Sequence, residues 1–177
     1  MYNLLILPLD YEYEFLNELS HICRNIYRFV NVEVLNKEKL PEHILLGHGS
    51  LFARLIMRDR RMVYLDDLLA HLKKCYVAGD YTKILAILPH YVLGFGEGLL
   101  GYTPYKNLSI VSTYAIKGRY FSRACIGVCL HEIGHSFGLS HCKNKGCLMR
   151  VPCRPSSFND GVYKLCIMHE KLLNFKS

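Results

Sequence analysis

Polar and apolar positions along the chain fall into two periods, one near two residues and one near 3.6. Residues 3–9 are a short apolar run and predict a first strand. Asp10 follows as a candidate helix cap, with Glu12 and Glu14 suited to a first turn. Phe15, Leu19, Ile22 and Ile26 then recur at helical spacing. Val30, Val32 and Val34 alternate with Asn31 and Glu33, the pattern of a half-buried strand. Residues 41–49 read as loop, and 65–75 as a helix that buries Leu65, Leu68, Leu69 and Leu72. Further strands are expected at 83–88 and 107–116, separated by the glycine-rich 94–101. A long helix is expected from 121 to 138, and a last one within 160–175. This alternation predicts an α/β (α+β) architecture, a sheet packed against helices.

Composition narrows the class. At 177 residues, 51% of them hydrophobic, the chain fits one globular domain and not a disordered one. The longest apolar stretch, 84–95, is broken by Pro89 and His90 and is too short to span a bilayer. The N-terminus has no positive region before its apolar run and reads as a strand, not an export signal. The expectation is a cytoplasmic protein with reduced thiols and no membrane partner. The net charge of +7 is spread out, apart from Arg58, Arg60 and Arg61. A solvated surface explains that cluster better than a nucleic-acid patch, so no nucleic-acid partner is expected.

The chemistry concentrates in HEIGHSFGLSHC, residues 131–142. His131 and His135 stand four residues apart, which places both imidazoles on one helix face within reach of a single ion. Glu132 is rotated off that face, beside the ion but not on it, where a general base belongs. Gly138 can take a left-handed conformation that ends the helix and reverses the chain. His141 is then returned as a third ligand. Three neutral histidines leave one tetrahedral position open, the layout of a catalytic zinc. Solvent-facing histidines on an amphipathic helix are the bland alternative, and they would not need the complete pattern.

Six metal-prone residues follow or overlap this motif: Cys142, Cys147, Met149, Cys153, Cys166 and His169. Their density reads as a second, closed zinc site. The favoured ligand set is Cys142, Cys147, Cys166 and His169, because a C-x-x-H pair closes around one ion with little chain strain. The rival set has Cys153 in place of His169. Cys125 and Cys129 fall on the helix side opposite His131 and His135, and packing is the expected role for them and for Cys23 and Cys75.

At these residues the chain resembles the archaemetzincins, members of the metzincin clan of zinc peptidases. The resemblance is specific from Ile126 to Lys171: the twelve-residue motif, then Cys147-Leu148-Met149, then Cys166 to His169. Weaker echoes are Leu40-Pro41 and the segment 91–98. The family runs from its third histidine into a cysteine and ends on a C-x-x-C pair, where this chain has His169. The resemblance implies a zincin fold: a mixed twisted sheet, a backing helix, an active-site helix and a small zinc-stapled C-terminal part. It implies that Met149 lies in a turn beneath the catalytic metal. Some metzincins carry a tyrosine two residues after that methionine; here the position is Val151.

The expected organisation is one domain over 1–177, a sheet-and-helix part at 1–138 and a zinc-bound part at 139–177. The expected activity is peptide hydrolysis by a monomer holding two zinc ions, one catalytic and one structural. Glu132 would take a proton from the attacking water and pass it to the leaving amine. A peptide or protein substrate would lie extended along a sheet edge, with 91–97 as the candidate edge. The competing class is a zinc-stabilised interaction module with little or no turnover.

Overall fold

The computed structural model describes residues 2–45, 62–76, 82–94 and 100–174. In chain order the strands are β1 (Tyr2–Pro8), β2 (Val30–Val34), β3 (Met62–Tyr64), β4 (Thr82–Leu88), β5 (Tyr91–Leu93), β6 (Gly101–Tyr105) and β7 (Leu108–Ser112). The helices are α1 (Leu16–Ile26), α2 (Glu42–Leu45), α3 (Leu65–Tyr76), α4 (Phe121–Ser136) and α5 (Ile167–Asn174), with a 3-10 turn at Pro155–Phe158. Five strands form one sheet in the order β2-β1-β4-β7-β6. The first four are parallel; β6 runs antiparallel to β7 at the edge. β3 and β5 form a separate parallel pair.

Strand alternation sends successive side chains to opposite faces, and both faces are covered. On one face Leu4, Ile6, Leu85, Ile87 and Val111 pack against α1 and α4. On the other Leu7, Ile84, Ala86, Leu88, Leu108 and Ile110 pack with Leu65, Leu68 and Leu72 of α3. Central strand β4 is therefore apolar on both sides, which is why it reads as a run and not as an alternation. The first core continues into the C-terminal segment through Leu148, Met149, Phe158, Leu165 and Leu173.

Several expectations shift. Asp10 caps no helix: α1 starts at Leu16, and Asp10 takes a left-handed backbone with φ 57°. Its carboxylate accepts the Leu40 N–H at 3.0 Å and faces His90 Nε2 at 2.7 Å, so it ties strand ends together. Part of the expected 41–49 loop is the short α2; residues 46–49 lie outside the described residues, as does the Arg58–Arg61 cluster. Leu69 is half-buried and Cys75 is exposed. The last helix is shorter than 160–175, because the chain from 160 to 166 is held without regular structure. No described helix is long and apolar enough to cross a membrane.

Candidate metal centre and its base

Helix α4 is the buried spine of the site: twelve of its sixteen residues are buried. Tyr27, wholly buried on the chain leading to β2, donates to the Leu130 carbonyl at 2.8 Å. Lys83 from β4 donates to the Ser136 carbonyl at 2.9 Å, placing a cation at the negative end of the helix. The helix then closes in a Schellman turn. Gly138 has φ 75°, its N–H reaches the His135 carbonyl at 2.8 Å, and the Leu139 N–H reaches Gly134 at 3.0 Å. This is the reversal that the glycine spacing predicts, and it returns His141 beside His131 and His135.

The three rings converge. Centroids of His131 and His135 are 4.7 Å apart, and that of His141 lies 5.5 and 4.7 Å from them. Their facing nitrogens all lie within 4.8 Å of one another. His131 Nδ1 donates to the Leu148 carbonyl and His135 Nδ1 to the Leu139 carbonyl, both at 2.8 Å. A carbonyl only accepts, so each Nδ1 carries its ring's proton. The two Nε2 atoms therefore bare lone pairs, and they face each other across 3.1 Å. Two lone pairs repel at that distance unless a cation lies between them. Two imidazoles on one tetrahedral zinc stand about 3.3 Å apart, given Zn–N lengths of about 2.0–2.1 Å. Burial pushes His131 down to about 4 and lowers His135 as well, which keeps both neutral, the form that ligates. The donor set fits a zinc ion.

Glu132 is buried beside this cluster, and burial pushes its carboxyl up to about 7, against a hydrogen bond that lowers it. The donor is the Thr103 hydroxyl on β6, 2.6 Å from Oε2. Ser109 on β7 lies 3.0 Å from Thr103 Oγ1 and 3.3 Å from the Glu132 carbonyl oxygen. Gly101 makes room: a Cβ there would stand 2.5 Å from Glu132 Cγ and Oε1. Neither Gly101 nor Thr103 is picked out by the sequence pattern: Gly101 ends the glycine-rich 94–101, and the rest of β6 lies between that stretch and the strand expected at 107–116. The candidate substrate edge at 91–97 is only partly described. Tyr91–Leu93 pairs with β3, residues 95–97 lie outside the described residues, and the strand that borders Glu132 is β6.

Met149 lies under α4. A Cβ on Gly134 would stand 2.4 Å from its sulfur, so glycine permits the close approach. The preceding Leu148 supplies the carbonyl that orients His131.

Cys142, Cys147, Cys166 and His169 form the second group, with donor atoms again within 4.8 Å of one another. Cys142 Sγ and Cys166 Sγ are 3.8 Å apart, far beyond a disulfide bond and close to the spacing of two thiolates on one zinc. His169 Nδ1 is 3.2 Å from Cys166 Sγ and 3.6 Å from Cys147 Sγ. Burial opposes the Cys166 thiolate, but hydrogen bonds from the His169 backbone N–H and from neighbouring groups outweigh it and bring the thiol down to about 6. Cys153 is not in this group; it lines a 140 Å³ hollow with Phe158 and Val162. Cys125 and Cys129 are buried in the core and belong to neither group.

The model of peptidase family M54 matches residues 10–166. Among solved structures, the archaemetzincin of Methanopyrus kandleri superposes with a TM-score of 0.72 at 20% identity, covering 99% of this chain and 96% of that one. The archaemetzincin of Archaeoglobus fulgidus, complexed with malonate, gives 0.69 at 17%, covering 96% and 99%. A zinc-dependent peptidase of Methanocorpusculum labreanum gives 0.65 at 19%, covering 96% and 100%. At these identities the likeness speaks for the fold. No curated protein matches the chain.

Proposed function

The chain belongs to peptidase family M54, and from that premise we infer a zinc metallopeptidase in which His131, His135 and His141 hold the hydrolytic ion and Glu132 is the general base. The observation that carries this reading is the pair of facing Nε2 lone pairs with a buried carboxylate next to them. Zinc, when bound, supplies Lewis acidity: it acidifies water and polarises the scissile carbonyl.

The chain's own residues do the rest. Glu132 takes the proton of the attacking water and delivers it to the leaving amine. Thr103 holds Oε2 at 2.6 Å, so the carboxylate keeps one orientation while Oε1 stays available. The Leu148 and Leu139 carbonyls fix the tautomers of His131 and His135. Among the described residues β6 is the last strand of the sheet, and it borders Glu132. An extended peptide pairing with that edge would pass the base, with sheet-type backbone hydrogen bonds setting its register. Pro104 within β6 is tolerated because edge strands need not satisfy every ladder bond.

Cys142, Cys147, Cys166 and His169 are read as the ligands of a second, structural zinc, for a total of two ions. Cysteines kept as thiolate ligands are favoured by a reducing compartment, which supports a cytoplasmic location. We read the molecule as a monomer acting on peptides or proteins. An interaction module without turnover would not need a carboxylate buried, at a desolvation cost, beside an open histidine cluster. The deciding experiment measures peptide-library hydrolysis and zinc content in parallel. Glu132→Ala should abolish hydrolysis and keep the zinc; hydrolysis that survives at the parent rate removes Glu132 from the mechanism.

A further inference from the structure

His169 has two ring nitrogens, and they face different partners. Nδ1 is turned to the sulfurs of Cys166 and Cys147, at 3.2 and 3.6 Å. Nε2 lies 3.1 Å from the carbonyl oxygen of Ser140. Ser140 is the residue directly before His141. Because a carbonyl only accepts, Nε2 carries the proton and Nδ1 presents its lone pair to the thiols. His169 is 5% exposed, so both ring nitrogens make their contacts from a buried position.

His141 needs this help more than its two companions. His131 and His135 are carried by a buried helix and oriented by carbonyls. His141 is exposed, so packing does little to fix it, and its position depends on the backbone of residues 139–142. That strap is tied before His141 by the Leu139 N–H to Gly134, and after it by the Cys142 N–H to Met149 at 2.7 Å. Between those ties, the Ser140 carbonyl is held by His169.

We propose that His169 is a positioning residue for the hydrolytic centre: through its Nε2–H bond to Ser140 it fixes the strap that carries His141, and so links filling of the cysteine cluster to the grip of the histidine cluster on its ion. The proposal rests on reading both clusters as zinc sites. Its chemical signature is that cysteine cannot replace this histidine fully. A thiolate can supply a ligand to the second ion but has no further N–H for Ser140.

The test uses the full chain loaded with zinc, or with Co²⁺ for spectroscopy. His169→Cys should keep two metals per chain and gain intensity in the near-ultraviolet thiolate-to-cobalt band, with a fourth sulfur now ligating. Its histidine-cluster zinc should nevertheless pass to EDTA about tenfold faster or more, the size expected when the partner that orients a ligand is lost. Loss at the parent rate, with the second site filled, overturns the proposal. Nitrogen-15 histidine spectra of the parent protein give a second test that needs no variant. His169 should be the Nε2–H tautomer with its proton protected from exchange; the reverse tautomer, or a freely exchanging proton, overturns the proposal even if His169→Cys fails to fold. A parent chain that shows no thiolate-bound cobalt removes the two-site reading itself, and this inference with it.

Discussion

His131 and His135 stand on a helix with twelve of sixteen residues buried, braced by Tyr27, Lys83 and Met149. Cys142, Cys147 and Cys166 are carried by chain whose regular structure between 140 and 166 is one four-residue 3-10 turn and an isolated bridge. The two donor groups adjoin in sequence, yet the support runs in opposite directions. The histidine cluster is placed by elements that a hydrophobic core already holds. The cysteine cluster draws its donors from the 142–147 segment and from the start of α5, chain that joins the same core but has little regular structure of its own. On the zinc reading, the first ion occupies a formed cleft, and the second ion contributes folding free energy directly. The contrast teaches that ligand count alone does not separate a working ion from a stapling one; what the ligands stand on does.

The largest expected effect would break the comparison if it failed. Cys147→Ser should unfold the C-terminal segment and release its ion, since a closed zinc site supplies on the order of 10 kcal/mol in small zinc domains. His135→Ala should abolish hydrolysis while melting close to the parent. Equal losses of melting temperature in these two variants would erase the division between the clusters. Next, Glu132→Ala should lower kcat about 10²- to 10⁴-fold with zinc content unchanged, the range of a lost general base. Zinc loss in step with activity would instead make Glu132 part of the ion's hold.

Thr103→Val should have a smaller, sharper effect. It removes the hydroxyl at 2.6 Å from Glu132 and keeps the shape, so kcat should fall about tenfold with KM nearly unchanged. Thr103→Ser should restore most of the rate, because it restores the donor. A Val variant at full activity would show that α4 alone orients the base. The smallest effect is expected at Cys153. Lying outside the cysteine cluster, Cys153→Ser should keep both ions and change stability by no more than about 1 kcal/mol, as a half-buried position with no metal role. Zinc release from that variant would return Cys153 to the ligand set.

Much of the site is legible along the chain because it is local. The four-residue gap of His131 and His135, the neighbouring Glu132, and the left-handed turn at Gly138 all follow from helix geometry over a dozen residues. The strands β1, β2, β4 and β7 are legible for a similar reason: apolar runs and alternations declare themselves within five to seven residues. β6 is not, because glycine, threonine, proline and tyrosines on a half-buried strand carry no hydrophobic period.

Local pattern alone therefore yields the histidine-bearing helix, the carboxylate beside its first histidine, its reversal and the wealth of thiols behind it. Three-dimensional packing is what brings Thr103 and Gly101 against Glu132 from 29 and 31 residues away, as the antiparallel end of the sheet passes over α4. It also decided that His169 joins Cys142, Cys147 and Cys166 where Cys153 does not, and that the other nitrogen of His169 reaches Ser140. The physical reason is one of range. Helix spacing fixes distances between neighbours in sequence, whereas contacts between distant turns depend on strand order and on how the core packs, which no local pattern records.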